Sequence, residues 1–259
     1  MVVQPLGCQC SAGDGVISAW SAVEARQRAQ ADSYLLVSQP DHAHLSGELA
    51  AHFVSPRFPS WSKEVVDAIG VHDDGWSSMP GEFHGDPQLT ADGKPRSFIE
   101  FTPQEFTRAW RGSIEKAASL SAVGGVIVSR HFTALAEFAL KRVGVAEIER
   151  ECLRAFLSAE KKRQDELRAK SGRSEAELDE ALRALQFCDL LSLALCCEVH
   201  EEIEFPQCFG EHRARMRFSN GMYELMPSPF GTDSENGSFS VAARTYPGGR
   251  GRELRFHIR

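Results

Sequence analysis

Between about residue 40 and residue 200, apolar residues recur at spacings of three and four, and this period restricts the possible folds more than any other feature of the chain. Leu45, Leu49 and Phe53 form one such set, and Val65, Val66 and Ile69 another. That spacing puts the side chains on one face of a helix, whereas a half-buried strand would need alternation. Two helices mark their own starts. Thr102-Pro-Gln-Glu105 and Ser174-Glu-Ala-Glu177 each place a carboxylate three residues after a hydroxyl, the pair that satisfies the first free N–H groups of a helix. Pro40 and Asp41 suit the beginning and cap of another, after the β-prone residues 33–38. Residues 123–143 read as a buried helix, and residues 146–169 as a charged amphipathic one that stops near Gly172. The pattern amounts to about six helices.

Residues 77–101 interrupt it with Pro80, Gly81, Gly85, Pro87, Gly93 and Pro95, and a loop of that length inside a domain is usually a lid or a wall. After about residue 204 the period changes to short β-like runs at 215–218, 222–226, 238–245 and 253–258, with Asn220-Gly221 as a hairpin turn. Residues 1–31 are rich in Gly, Ser, Ala and Gln and read as a loosely held arm with a short helix over 20–31. The expected fold is therefore mainly α: a helical bundle over 32–203, with a small antiparallel β appendage over 204–259 packed on it, α+β overall. No internal repeat is present.

A chain of 259 residues with 42% apolar residues can bury a full core. Its net charge of −7 repels a phosphate backbone, and no basic patch precedes residue 240, so nucleic acid is not an expected partner. Residues 244–259 carry five arginines and one acidic residue, read here as solvated surface. The seven cysteines contain no CxxC pair with a matching partner, which argues against zinc-ribbon and dithiol redox chemistry. Cys188, Cys196 and Cys197 fall in an apolar segment and read as small buried hydrophobes, at home in a reducing cytoplasm. No run approaches the roughly eighteen apolar residues of a membrane span, and no basic start precedes an apolar core. Neither membrane insertion nor export is expected.

Chemistry concentrates in the segment Ala68-Ile-Gly-Val-His-Asp-Asp-Gly-Trp76, where His72 and Asp73 close an apolar helix. Adjacent helical residues stand about 100° apart, so both reach one ion only from a helix end, which Gly75 permits. The helical segments offer His42 or His44, His131 and Asp189 as further ligands. Imidazole with carboxylate suits manganese, iron, nickel, zinc or magnesium. Asp189, among Leu185, Phe187, Leu190, Leu191 and Leu193, faces a large desolvation cost unless paired or coordinated. His131 alone is equally a hydrogen-bonded core histidine. The charge run 160–173, and His200 with Glu198, Glu201 and Glu202, read as solvated helix face and cap.

An early His, a His-Asp pair and a late Asp in Phe187-Cys-Asp-Leu-Leu-Ser192 together resemble the HD-domain superfamily of metal-dependent phosphohydrolases, over residues 33–200. More narrowly, Gln39-Pro-Asp-His-Ala-His-Leu-Ser-Gly47, His72-Asp-Asp-Gly-Trp76 and Ser129-Arg-His-Phe132 are similar to a bacterial domain family of unknown function, an HD relative with a β-rich C-terminus. The resemblance implies His42, His72, Asp73 and Asp189 as ligands of a divalent ion, one rather than two. His44 competes for the first position; two residues along a helix turn a side chain by about 200°, so only one of the two faces the site, and His42 is preferred. His131 and His84 are the additional candidates that two-metal members would need. Asp73 or His131 would handle protons. Superfamily members often carry a basic residue soon after the His-Asp pair, where this chain has Asp74, Gly75 and Trp76. Trp76 suits stacking or a water-excluding wall, and Lys63, Arg130 or Lys94 would have to bring charge from elsewhere. The leading expectation is a hydrolase of a phosphoester or nucleotide-like small molecule. A di-iron oxygenase and a non-catalytic metal- or ligand-binding module are the alternatives, and a homodimer is left open.

Overall fold

The computed structural model describes residues 1–7, 15–55, 58–82, 85–230 and 237–259, and about half of these described residues are helical and a fifth strand (51% and 21%). These proportions overturn the expected mainly α bundle with a small β appendage. Among the described residues, seven helices pack against a curled half-barrel sheet of eight strands, a mixed α/β fold. The strands are β1 (Val2–Pro5), β2 (Ile17–Ser18), β3 (Tyr34–Val37), β4 (Ile203–Phe209), β5 (His212–Ser219), β6 (Met222–Met226), β7 (Gly237–Tyr246) and β8 (Gly251–Ile258), in the order β1-β3-β7-β8-β6-β5-β4-β2.

The correction has a local cause. The described residues of 1–31, which are 1–7 and 15–31, are not a loose arm: Val2 and Val3 are fully buried, and β1 runs antiparallel to β3 with Val2 opposite Val37. Ile17 in β2 pairs in parallel with Ile203 in β4. One N-terminal strand thus closes each edge of the sheet and covers backbone groups that would otherwise be open to pairing. Because β3, before the main helices, pairs with β7, after them, the divisions at 31/32 and 203/204 separate nothing in the sheet. β4 escaped the sequence pattern because it contains Pro206 and shifts register between Glu204 and Cys208. The Asn220-Gly221 hairpin forms as read, with φ of 51° and 78°. On β7 and β8, Phe239, Val241, Leu254 and Phe256 point inward, while Arg255 and Arg259 pair outward with Glu253 and Glu224.

The helices are α1 (Ala19–Arg28), α2 (Gln39–Ala51), α3 (Lys63–Gly70), α4 (Pro103–Leu120), α5 (Ala122–Leu140), α6 (Glu147–Ser171) and α7 (Glu175–Cys196). Both capping boxes form. Ser38, not Asp41, caps α2: its Oγ accepts from the Asp41 N–H at 3.0 Å. α7 runs through the core, packed on α2, α5 and the sheet. Contrary to the sequence expectation, α5 is long and apolar enough to pass for a membrane span, but 56% of its most apolar window is buried inside the fold, as in a core helix. Of residues 77–101, the described ones, 77–82 and 85–101, pack as a wall rather than a lid. Lys94 is buried and donates to the Gln27 carbonyl at 2.6 Å, while Arg96 pairs with Glu105 at 2.7 Å and lies over the Phe101 ring. Arg244 donates to the carbonyls of Gly81 and Gly85, tying that wall to the sheet.

α2 and α3 cross at glycines. A Cβ on Gly47 would stand 2.7 Å from the Gly70 Cα, closer than real side chains come. This crossing lies five residues after His42 and two before His72. It therefore sets the distance between the two histidine-bearing segments.

Candidate metal centre

Four elements converge on one point: α2 brings His42, the turn after α3 brings His72 and Asp73, α5 brings His131, and α7 brings Asp189. α3 stops at Gly70, and the chain turns through residues 71–73 into a short 3-10 helix, Asp74–Ser78. That break lets two adjacent residues face the same place. Gly75 holds the turn against α4, its N–H donating to Ser113 Oγ at 2.9 Å.

His42 Nε2 lies 3.0 Å from Asp73 Oδ2, and His72 Nε2 lies 3.3 Å from Asp189 Oδ1 and 3.8 Å from Asp73 Oδ2. One ligand atom each from His42, His72 and Asp189 falls within 4.8 Å of the others. The opposite ring nitrogens are tied down. His72 Nδ1 donates to the Ile69 carbonyl at 2.7 Å. His42 Nδ1 meets Ser192 Oγ at 2.9 Å, and Ser192 Oγ itself donates to the Asp189 carbonyl at 2.8 Å, so the histidine is the donor. Ser46 Oγ, 2.8 Å from Ser192 Oγ, supports the same hydroxyl. With both Nδ1 protons held by oxygen, both Nε2 atoms face the carboxylates, the orientation metal-ligating histidines take, and a divalent ion would take the place of the Nε2 protons there. Ligands of one ion bound at about 2.1 Å stand about 3.0–3.5 Å apart; the 3.0 and 3.3 Å pairs fall in that range and the 3.8 Å pair outside it, so the donor set fits a divalent cation in type and would have to draw together to hold one. Because removal of such an outer partner costs about 10–100-fold in metal affinity, Ser192→Ala is expected to bind manganese or zinc weaker by that factor, measured by chelator competition. Unchanged affinity would show that the His42 orientation does not depend on the hydroxyl.

Electrostatics follow from burial and proximity. Burial alone would push the proton off His72, but the Asp73 carboxylate and then the Asp189 hydrogen bond outweigh it and hold His72 at about 9. Burial likewise opposes ionisation of Asp189, yet the His72 hydrogen bond and the neighbouring histidines bring it to about 2. In His131 burial wins over the pull of Asp189, and its value falls to about 4. The signs give a stability profile for the metal-free protein. His72, raised above 6.5, contributes fully below that pH, and its contribution is lost as pH rises through about 9. The contribution of His131, lowered from 6.5, is present above that value and lost as pH falls through about 4. Asp189 adds a further loss as pH falls from 3.8 through about 2. Calorimetric melting in chelator is therefore expected to peak near pH 6.5 and to decline toward pH 9, and a bound divalent ion to flatten the alkaline decline. A metal-free profile flat over that range would contradict the protonated His72.

Other residues singled out from the sequence are placed differently. His44 is exposed and stands 3.5 Å from Glu48, so His42 is the α2 histidine that faces the cluster. His131 Nε2 approaches Asp189 Oδ2 at 3.7 Å, and its buried Nδ1 has no hydrogen-bond partner. His84 lies outside the described residues. Trp76 is no exposed stacking surface: it is buried, donates from Nε1 to Asp73 Oδ1 at 3.1 Å, and packs edge-on against Phe101. The three expected cations are committed elsewhere. Lys63 sits at the far end of α3 from His72 and pairs with Asp67, Arg130 pairs with Glu175 and Asp179, and Lys94 belongs to the loop wall. Sequence reasoning missed Ser46 and Ser192, whose only signal was a position one helical turn from His42 and from Asp189.

The chain matches the family model described as "Protein of unknown function (DUF3891)" over residues 27–245. No curated protein and no solved structure matches it.

Proposed function

The chain belongs to that family of unknown function, DUF3891, and since membership names no reaction, we propose from the site itself that the protein is a metal-dependent hydrolase of the HD type. One observation carries the reading: two buried histidines, each with its Nδ1 proton anchored on oxygen, present Nε2 to a pair of carboxylates. His42, His72, Asp73 and Asp189 would hold the ion. A bound divalent cation would supply a coordinated water of lowered pKa and polarise a substrate oxygen. The chain's own groups do the rest. Trp76 fixes Asp73 and, with Met79 and Phe101, keeps water from its rear. Asp189, 17% exposed, would be the ligand nearest solvent and so the one a substrate meets first. His131, held neutral by burial, approaches the second oxygen of Asp189 from Nε2 at 3.7 Å. A highly charged phosphate finds no free partner in Lys63, Lys94 or Arg130, so a substrate of low negative charge suits the site better.

The test is hydrolysis of p-nitrophenyl acetate and p-nitrophenyl phosphate by protein loaded with manganese or zinc, beside Asp189→Asn. Metal-dependent turnover lost in the variant is the expected result. Turnover that ignores the metal and the variant would overturn the reading, and bound metal without turnover would favour a binding module. One observation supports a second reading, a di-iron oxygenase: Asp189 turns Oδ1 to His72 and Oδ2 toward His131. Two irons per chain and a coloured protein would establish it over the hydrolase.

A further inference from the structure

The face of α5 that carries His131 does not end at the metal centre. Upstream, Gly124, Ile127 and Val128 on that face are buried, with Gly124 against Ala68 of α3. Downstream, at four and seven residues from His131, the same face presents Leu135 and Phe138, 40% and 58% exposed. Residues so spaced fall within about 60° of one another on a helix, and seven residues span about 10 Å. α3 has stopped at Gly70, so it does not cover this stretch. The result is an apolar strip that begins one helical turn beyond His131, itself 3.7 Å from Asp189, and runs along the helix, beside a site whose expected cations are all engaged.

We propose that the ligand of the metal centre is an amphiphile: an oxygen-bearing head at the His42, His72 and Asp189 cluster, and an alkyl-like tail of about 10 Å lying along Leu135 and Phe138. The inference rests on the metal reading of the same site and adds the substrate class. A second copy of the chain is a poorer occupant. Leu135 and Phe138, even with exposed Val143 and Ile148 beyond them, form a patch within the ~300–600 Å² usual on a monomer, short of the ~800 Å² per partner of a stable interface.

The test compares acetohydroxamate with octanohydroxamate, by calorimetry on zinc-loaded protein whose metal content has been measured. Half-burial of each added methylene is worth about twofold, so the longer probe is expected to bind several tens-fold tighter. Leu135→Ser/Phe138→Ser, at exposed positions, should keep the metal and the acetohydroxamate affinity while losing most of that gain. Val143→Ser, off the strip, should keep the gain. Equal affinity for the two probes in metal-loaded wild type would overturn the inference and leave the metal reading standing. A gain that persists without metal, or is lost equally in Val143→Ser, would overturn it too, as general adhesion of the α5–α6 tip. Wild type that holds no metal fails at the first measurement, and the underlying reading falls with the inference.

Discussion

His72→Ala and Asp189→Asn are each expected to abolish binding of the divalent ion proposed for the His42, His72 and Asp189 cluster. Outer partners of metal ligands are worth about 10–100-fold in affinity, so loss of a direct ligand is expected to cost at least about 100-fold. Elemental analysis of protein purified without a histidine tag should fall from one ion per chain to none in both variants. Their stabilities should differ. In metal-free protein His72 carries the positive charge that Asp73 and Asp189 share. Removing it leaves Asp189 with His131 alone at 3.7 Å, while Asp73 keeps His42 and Trp76, and breaking such a buried pair costs about 3–5 kcal/mol. Asp189→Asn removes a negative charge instead and leaves His72 beside Asp73, so its cost should be clearly smaller. Urea unfolding in chelator reads the difference. Metal retained at full stoichiometry in both variants would end the metalloprotein reading, and equal stabilities would mean that His72 is not the shared cation.

Much of this site was legible because its chemistry is costly to hide. A carboxylate inside the apolar run of α7 needs compensation wherever it points, and a His-Asp pair closing an apolar helix puts an imidazole and a carboxylate where both can turn toward one ion. What stayed illegible was non-local. Beyond its place one helical turn from Asp189, nothing in the sequence distinguishes Ser192 from other serines until α2 and α7 are side by side, because its role is to accept from His42, 150 residues away. Arg130 looked free because its partners Glu175 and Asp179 lie 45 and 49 residues further on. The local pairing of Lys63 with Asp67, four residues along one helix, was readable. The sheet was underestimated for a related reason. Val2–Pro5 and Ile17–Ser18 are too short to outweigh the small polar residues around them, and their strand character comes from partners at Val37 and Ile203. Short edge strands are specified by the sheet that receives them more than by their own residues.

Gly75→Ala is expected to do more damage than alanine at any other described glycine. A Cβ there would stand 1.9 Å from the Ala109 carbonyl oxygen and 2.4 Å from the Ser113 nitrogen, both backbone atoms of α4 that no rotamer change can move aside. Gly75 is not among the positive-φ glycines, so alanine strains nothing through its own dihedrals and the whole penalty is steric. Overpacking of a tight contact usually costs about 1–3 kcal/mol, and a contact this short belongs at or above the top of that range. For a chain of this size that is about 6–12 °C in Tm. The turn that must lift off α4 is the one that presents His72 and Asp73, so metal affinity should fall along with stability. Gly47 and Gly70 supply the control. The two face each other, yet the Cβ of Gly47→Ala would meet the Gly70 Cα at 2.7 Å, whereas that of Gly70→Ala would meet the Gly47 Cα at an ordinary 3.8 Å. Gly47→Ala should therefore spread α2 from α3 and weaken both stability and metal binding, while Gly70→Ala should change Tm by no more than about 2 °C. Melting curves and metal titrations on the three variants decide it. If Gly75→Ala and Gly47→Ala melt like Gly70→Ala, the close helix approaches that bring His42 to His72 are not what holds the site together.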